Sequence, residues 1–105
     1  MHIVQHTHLP QLQLGGEACI AAAQRAAFQV WLRTLAPGAH GDTLQHAGEL
    51  VVLALEGHGK LVIDGGPLRF TGPCTLLIPP GTPFQLANHG SLPLQLVWVF
   101  SVAPV

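Results

Sequence analysis

Histidines are the side chains of this chain with the most evident chemistry. There are 7 of them among 105 residues, more than Lys and Arg together, which number 4. His6 and His8 alternate, which would place two imidazoles on one face of an extended strand, and with His2 and His40 they could bind a divalent metal ion. Paired histidines near a chain terminus are more often solvated. We therefore expect no metal site there, and His40 is predicted to be a loop residue.

The other potential catalytic groups do not form recognisable sets. Cys19 and Cys74 lie outside any CxxC pattern and are predicted to be free thiols, with Cys19 buried in an alanine-rich stretch. No general base is identified beside Cys74. Glu49, Glu56 and Asp64 give no pair of carboxyl groups that points inward. The sequence therefore predicts neither a disulfide framework nor nucleophilic or acid–base catalysis.

Short strands must position whatever site exists. Glycine and proline pairs separate β-rich runs, of which 28–35 and 92–102 alternate apolar and polar residues as half-covered strands do. Residues 50–55 are apolar throughout, which predicts a strand covered on both faces. Residues 60–64 lead into an Asp-Gly hairpin turn. Only 17–27, rich in alanine, favours a helix by intrinsic propensity, which tertiary context can override. An all-β sandwich or barrel is predicted.

Two stretches of the chain carry a specific spacing. A frame beginning at Gly38 and ending at Gly57 fits a glycine-to-glycine motif without a gap, and Pro79, Gly81 and Asn88 keep their places in a second motif, although proline replaces its opening glycine. This spacing resembles that of the cupin superfamily. The resemblance implies a cupin-type jelly roll, or double-stranded β-helix barrel. One domain over 1–105 is predicted, with motif 1 at about 38–57, motif 2 at about 72–88, and 1–27 as an N-terminal arm and first strands.

The resemblance also implies where a metal would bind, and there the chain departs from the family. The family's ligand positions hold Leu44, His46, Leu50 and Phe84. A divalent ion usually requires three or more protein ligands, and only the imidazole can serve. Glu49 lies one residue early, so it points to the opposite strand face unless a bulge intervenes. We therefore expect no metal and no other cofactor.

Without a metal, the implied barrel interior becomes an apolar cavity with one polar group. The predicted ligand pocket comprises Leu44, His46, Leu50, Val52, Phe84, Leu86 and Asn88. The leading hypothesis is a small stand-alone cupin that binds a small apolar or aromatic molecule oriented by His46. That histidine could instead be a core residue bonded to a backbone carbonyl or to Asn88. A metal-dependent oxygenase or isomerase with unusual ligands and a filled-barrel structural protein stay open as alternatives.

Several further residues have a plain packing interpretation. Trp31 and Trp98 fall in alternating strands, where a large aromatic residue usually packs in a core or interface rather than against a ligand. Arg33 is predicted to be a solvated surface residue, although it could pair with an anionic ligand, and the same holds for Arg69. His58 is expected in a hairpin connection and His89 in another turn.

The composition restricts the partners. A net charge of −1 gives no basic field for a phosphate backbone, so nucleic acid is not expected. No apolar run approaches the roughly 18 residues of a membrane span, and the first residues do not read as a signal peptide, so a cytoplasmic protein is expected. Charged residues make up 9% of the chain and hydrophobic residues 49%. So little charge predicts that apolar surface is buried in a homodimer.

Overall fold

Two antiparallel sheets make up the computed structural model, which describes residues 3, 5, 7, 9–14, 17–24 and 28–101. Within these residues the strands are β1 (Leu12–Leu14), β2 (Glu17–Gln24), β3 (Phe28–Leu35), β4 (Leu50–Glu56), β5 (His58–Ile63), β6 (Gly66–Thr71), β7 (Cys74–Ile78), β8 (Phe84–Asn88) and β9 (Leu94–Ser101). The large sheet has the order β1-β2-β3-β9-β4-β7 and the small sheet the order β6-β5-β8. The described ranges contain no α-helix, so the all-β prediction is confirmed, and no helix within them could span a membrane.

The core lies between the two sheets, because every second side chain of each strand points inward. In the large sheet, Trp31 of β3 lies opposite Trp98 of β9, and Leu35 lies opposite Leu94. The largest buried side chains of the core are Leu35, Leu50, Val52, Ile78, Phe84, Leu86, Leu94 and Leu96. The last strand begins two residues later than predicted, since Leu92 precedes it and is exposed. Val102 lies outside the described residues.

The unbroken apolar run of strand β4 predicted that both of its faces are covered. Within one chain, only one face is covered. Leu50, Val52 and Ala54 are buried, whereas the side chains between them are half-buried and Leu55 is 50% exposed. The strand pairs with β9 on one side and β7 on the other. Its second apolar face therefore belongs to the outer surface of the large sheet.

Strand β2 replaces the helix that its alanines favoured. It pairs antiparallel with β3 along its length, with Glu17 opposite Leu35 and Cys19 opposite Arg33. A register shift between Ala21 and Ala23 marks a bulge. Helix propensity differs by only a few tenths of a kcal/mol between most residues, so pairing and burial outweigh it. Residues 25–27 lie outside the described residues.

The small sheet contains the hairpin predicted at Asp64-Gly65, but His58 does not lie in a hairpin connection. Asp64 and Gly65 both have positive φ, 51° and 76°, as a two-residue type I′ turn between β5 and β6 requires. His58 was expected in a hairpin connection. Instead it begins β5, which pairs with β6 and β8 rather than with β4. His89 lies in the connection after β8, as predicted, and its amide donates to the His58 carbonyl.

The segment before β4 runs along the free side of β8 and determines which of its side chains point inward. His40 forms a bridge with Ala87, and Leu44 forms a bridge with Phe84. Four residue steps along this segment, from His40 to Leu44, thus correspond to three steps along β8, from Ala87 to Phe84. The extra residue is a bulge, and it reverses the side of the sheet to which the following side chains point. His40 therefore lies on the outer side with Ala87, while Leu44 lies on the inner side with Phe84. This bulge brings Leu44 and the residues that follow it to the cavity described next.

Candidate functional site

A cavity of about 160 Å³ lies on the inner side of the barrel and is open to solvent on one side. Strands β3, β8 and β9 and the 44–46 segment supply its walls. Its lining residues are Arg33, Leu44, Gln45, His46, Phe84, Trp98 and Phe100. Three members of the predicted pocket, Leu44, His46 and Phe84, are therefore brought together here.

The other four predicted pocket residues do not line this cavity. Leu50, Val52 and Leu86 are at most 2% exposed and belong to the closed core. Asn88 is buried, and its amide is used in the fold: Nδ2 donates to the carbonyls of Leu35 and Leu92, at 2.9 and 2.7 Å, and Oδ1 accepts from the Gly90 amide. Its side chain thereby fixes the connection between β8 and β9.

His46 is held by its own turn and by an aromatic contact. Its Nδ1 atom lies 3.0 Å from the Gly48 carbonyl oxygen and 3.2 Å from the Gly48 amide nitrogen. One tautomer donates to the carbonyl, and the other accepts from the amide. The ring meets Phe100 edge to face, with centroids 4.7 Å apart. The hydrogen-bond partner of His46 is thus the backbone of Gly48 and not Asn88. A backbone partner is one of the two that the interpretation of His46 as a core residue expected. Nε2 is the ring nitrogen that is left for a ligand.

Arg33 is the principal residue that sequence reasoning placed wrongly. Its side chain is only 14% exposed, and its guanidinium carbon lies 3.9 Å from the centroid of the Trp98 ring. Nη1 donates to Oε1 of Glu17 at 3.2 Å. The signal was present in the alternation of β3, because Arg33 shares a strand face with Trp31 and Leu35. Arg33 is therefore a shielded cation stacked on indole and paired with Glu17, not a solvated surface charge.

Glu17 is the second missed residue, and it is 2% exposed. Its carboxylate lies against the backbone of Gly41, where an added Cβ would collide with Oε1. Burial raises the pKa of this carboxyl above its ordinary value of 4.5; the Arg33 charge and hydrogen bond oppose that shift, and Asp42 adds to it. Burial likewise raises the pKa of the Cys19 thiol, which is inaccessible as predicted. The helical appearance of 17–27 hid Glu17, because inward alternation is expected only in a strand.

Three buried polar atoms around the cavity have no hydrogen-bond partner within the described part of the chain: Glu17 Oε2, Arg33 Nε and Trp98 Nε1. Two of them are N–H donors on residues that line the cavity. Buried donors are nearly always paired in folded proteins, and each exception calls for an explanation. Both donor atoms are themselves buried, although their residues line the cavity.

The described residues do not fit a divalent metal. No three His, Cys, Asp or Glu side chains converge within the described ranges. Hydrocarbon side chains occupy three of the four positions that the resemblance implied, and Glu49 is exposed before β4 rather than bulged inward. His40 contacts Gly41 and Gln85, outside the cavity. The predicted weak candidates His2, His6 and His8 lie outside the described residues.

Comparison with known proteins identifies the family. The family model described as the cupin domain matches residues 31–100. The chain belongs to the cupin family. The match covers both predicted motifs, so the recognition made from glycine and proline spacing is confirmed, and so is the cupin-type barrel.

The relatives differ widely in what their names describe. Auxin-binding protein 1 of Arabidopsis thaliana is 30% identical over 86 residues, which cover 73% of this chain and 43% of that protein, so the chain spans under half of this curated relative. An RmlC-like cupin from Shewanella frigidimarina superposes with a TM-score of 0.85 at 18% identity, over 98% of this chain and 92% of the other. The polyketide cyclase RemF from Streptomyces resistomycificus gives 0.82 at 17% identity, over 96% and 79%. These structural likenesses show the fold alone.

Proposed function

We propose that this cupin binds a small aromatic carboxylate in the barrel cavity, held by side-chain contacts. The observation that carries the proposal is the Arg33 guanidinium, stacked on Trp98 at the cavity wall. Arginine is suited to recognising carboxylates because its N–H groups match two carboxylate oxygens. A cation placed among apolar and aromatic walls favours a ligand that has both a ring and a negative charge.

The size of the cavity supports a ligand with a single ring. A volume of about 160 Å³ is close to that of the engineered cavity of about 150 Å³ that binds benzene. Leu44, Phe84 and Phe100 offer apolar contact to a ring, and the open side leaves room for its substituent. Most small-molecule sites have this composition, with few polar groups on largely apolar walls.

The polar groups support an acidic substituent. The charged group at the cavity wall is the Arg33 guanidinium, and all of its N–H groups are donors, so the matching ligand group is an acceptor. A carboxylate is also negatively charged, so the Arg33 guanidinium could interact with both the ligand and Glu17. Hydrogen bonds to a charged group contribute about 1.5 to 3 kcal/mol each, more than neutral ones. The name of the Arabidopsis relative records binding of a small molecule, auxin, which agrees with a binding role for this chain.

The two alternatives from the sequence have less support. A filled barrel would leave no cavity beside His46, whereas the described residues line one that is open on one side. A metal-dependent enzyme would require a donor set that the described residues do not bring together. Similar folds include a polyketide cyclase and a predicted oxalate decarboxylase, but shared fold does not transfer activity.

Calorimetric titration with three probes tests the proposal. Benzoate has the ring and the charge, benzyl alcohol has only the ring, and acetate has only the charge. We expect benzoate to bind about 10- to 100-fold more tightly than benzyl alcohol, the factor that one charge-assisted hydrogen bond supplies. Acetate should bind more weakly than benzoate because it gains no apolar burial.

Two variants isolate the contribution of the guanidinium. In the double variant Glu17→Gln/Arg33→Met the preference for benzoate over benzyl alcohol should disappear, and no unpaired buried carboxylate is left to unfold the barrel. Arg69→Met makes the same change at an exposed arginine of β6 and should leave the preference intact. Equal affinity of the natural chain for both ring compounds, or no binding of either, would contradict the proposal.

A further inference from the structure

The polar groups of the cavity differ from one end to the other. Arg33, which stacks on Trp98, has only hydrogen-bond donors. His46 lies against Phe100, with ring centroids 4.7 Å apart. Trp98 and Phe100 share the inner face of β9 two residues apart, which separates them by about 7 Å along the strand. The guanidinium and the imidazole therefore mark two ends of the cavity.

The backbone of Gly48 determines which nitrogen of His46 is left for a ligand and in which form. Nδ1 lies 3.0 Å from the Gly48 carbonyl oxygen, closer than the 3.2 Å to the Gly48 amide nitrogen. A proton on Nδ1 satisfies the shorter contact, because a carbonyl oxygen can only accept. We therefore assign the proton of the neutral ring to Nδ1. In this tautomer Nε2 carries no proton and is a hydrogen-bond acceptor.

Gln45, the chain neighbour of His46, also leaves an acceptor at the cavity. Its Nε2 donates to the Gly81 carbonyl at 2.8 Å. Since a carbonyl oxygen cannot donate, this contact determines the orientation of the amide, and Oε1 is the atom left over. Gln45 is exposed and lines the cavity next to His46. The side of the cavity that the 44–46 segment forms is thus opposite in hydrogen-bonding character to Arg33.

We infer that the ligand carries a hydrogen-bond donor on its ring opposite the carboxylate, and that His46 Nε2 accepts from it; this inference rests on the proposed function. The matching class is the aromatic carboxylate with a para-hydroxyl or para-amino group. A six-membered ring with substituents at opposite positions spans a distance similar to the separation of Trp98 and Phe100 along β9. Leu44 and Phe84 are apolar walls for such a ring. Because most of the lining is apolar, this hydrogen bond would discriminate among aromatic acids of similar size.

Calorimetric titration of the natural chain with four ring carboxylates tests the inference. 4-Hydroxybenzoate and 4-aminobenzoate have a donor opposite the carboxylate, 4-methoxybenzoate has only an acceptor there, and benzoate has neither. We expect both donor-bearing compounds to bind about 2- to 10-fold more tightly than benzoate, the factor that one neutral hydrogen bond supplies. 4-Methoxybenzoate should bind no more tightly than benzoate, because its ether oxygen would face another acceptor.

Substitutions of His46 locate the acceptor. His46→Leu should bind benzoate and 4-hydroxybenzoate with equal affinity, whereas His46→Gln should keep part of the preference, because glutamine also has an acceptor at the end of its side chain. His40→Leu changes an exposed histidine outside the cavity and should keep the full preference.

The outcomes separate this inference from the proposed function. If benzoate binds but the donor-bearing compounds have no advantage, or if His46→Leu keeps that advantage, the inference is overturned while the proposed function stands. An advantage of 4-methoxybenzoate equal to that of 4-hydroxybenzoate would also overturn it. If none of the four compounds binds, both the inference and the proposed function fail.

Discussion

At the scale of single residues, the Glu17–Arg33 pair determines how the cavity presents its charge. Glu17 is 2% exposed and Arg33 retains only 14% exposure, so the pair is shielded from water more than a surface salt bridge is. The raised pKa of Glu17 means that the fold favours its protonated form relative to the unfolded chain. Its contribution to the free energy of unfolding therefore decreases as pH rises from about 4.5 through the folded-state pKa.

The same pair predicts how pH changes ligand binding. The charged or titratable groups around Glu17 are Arg33 on β3, Asp42 in the connection before β4, and Cys19 on its own strand. When pH falls, protonation of Glu17 removes the ligand's competitor for Arg33. Benzoate affinity should therefore increase as pH falls from neutral toward the raised pKa of Glu17, over the range in which a carboxylate ligand stays mostly ionised. Calorimetric titration across that range measures it.

Glu17→Gln should remove most of this pH dependence and bind benzoate more tightly at neutral pH, because the competing charge is gone. Glu49→Gln changes an exposed acid and should keep the slope of the natural chain. If the affinity of the natural chain were flat with pH, or if both variants kept its slope, Glu17 would not compete with the ligand for Arg33.

At the residue scale, local motif spacing was enough to anticipate that some of the predicted positions share one cavity. Leu44, His46 and Phe84 meet at the cavity, and the spacing of the two motifs had predicted that all three point inward. Arg33 and Glu17 were missed because their meeting depends on the pairing of β2 with β3, a long-range contact that no local pattern reports. Charged residues such as these also usually lie on the surface.

At the scale of elements, the passage from the large to the small sheet depends on Gly57. Its φ of 111° is one that residues with a Cβ rarely adopt. A Cβ there would also lie 3.1 Å from the Leu94 Cα and 3.2 Å from the Pro93 carbonyl oxygen. Both neighbours are backbone atoms next to β9, so they cannot move aside as a side chain could.

Gly57→Ala should therefore destabilise the fold by about 2 to 4 kcal/mol, which combines backbone strain with overpacking. Gly65→Ala is the matched control, because Gly65 also has positive φ but an added Cβ would meet nothing within 4 Å. It should cost only about 1 kcal/mol. Urea unfolding with unchanged m-value measures both. If the two variants lost similar amounts of unfolding free energy, the close approach of Gly57 to β9 would not contribute to the effect.

The element predictions show which signals are local. Alternation located β3 and most of β9, and Asp64-Gly65 located the hairpin, because side-chain direction and turn conformation depend on neighbouring residues. Strand β2 was hidden by its alanines, since small residues pack as readily in a sheet as in a helix. His58 was misplaced because Gly57 resembles a hairpin residue, whereas it actually marks a crossover between sheets.

At the scale of the whole molecule, the homodimer predicted from the composition would make stability depend on chain concentration. A tenfold increase in chain concentration is worth about 1.4 kcal/mol for a dimer. For about 210 residues that unfold together, the unfolding entropy converts this into a rise in Tm of about 3 °C. Differential scanning calorimetry of the natural chain at two concentrations measures the rise.

Leu55 and Leu77 are 50% and 64% exposed on the outer surface of the large sheet. If two copies pack there, Leu55→Lys/Leu77→Lys should show one Tm at both concentrations, because the contact would bury unpaired charges. Leu68 and Leu92 are similarly exposed elsewhere, so Leu68→Lys/Leu92→Lys should behave as the natural chain does. A concentration-independent Tm of the natural chain would contradict the dimer. The composition alone indicated that apolar surface must be covered, because 9% charged residues is sparse for a monomer surface. It could not indicate which surface, since that depends on which strands share a sheet.

The cavity and the outer surface of the large sheet use alternate residues of the same two strands. Arg33 and Trp98 point to the cavity, while their chain neighbours Leu32 and Val97, which lie directly opposite each other, point outward. A ligand in the cavity and a second copy packed on that surface would thus share a wall one strand thick. Their binding equilibria are then linked by reciprocity: whatever factor the bound carboxylate contributes to self-association, self-association contributes to the affinity for the carboxylate.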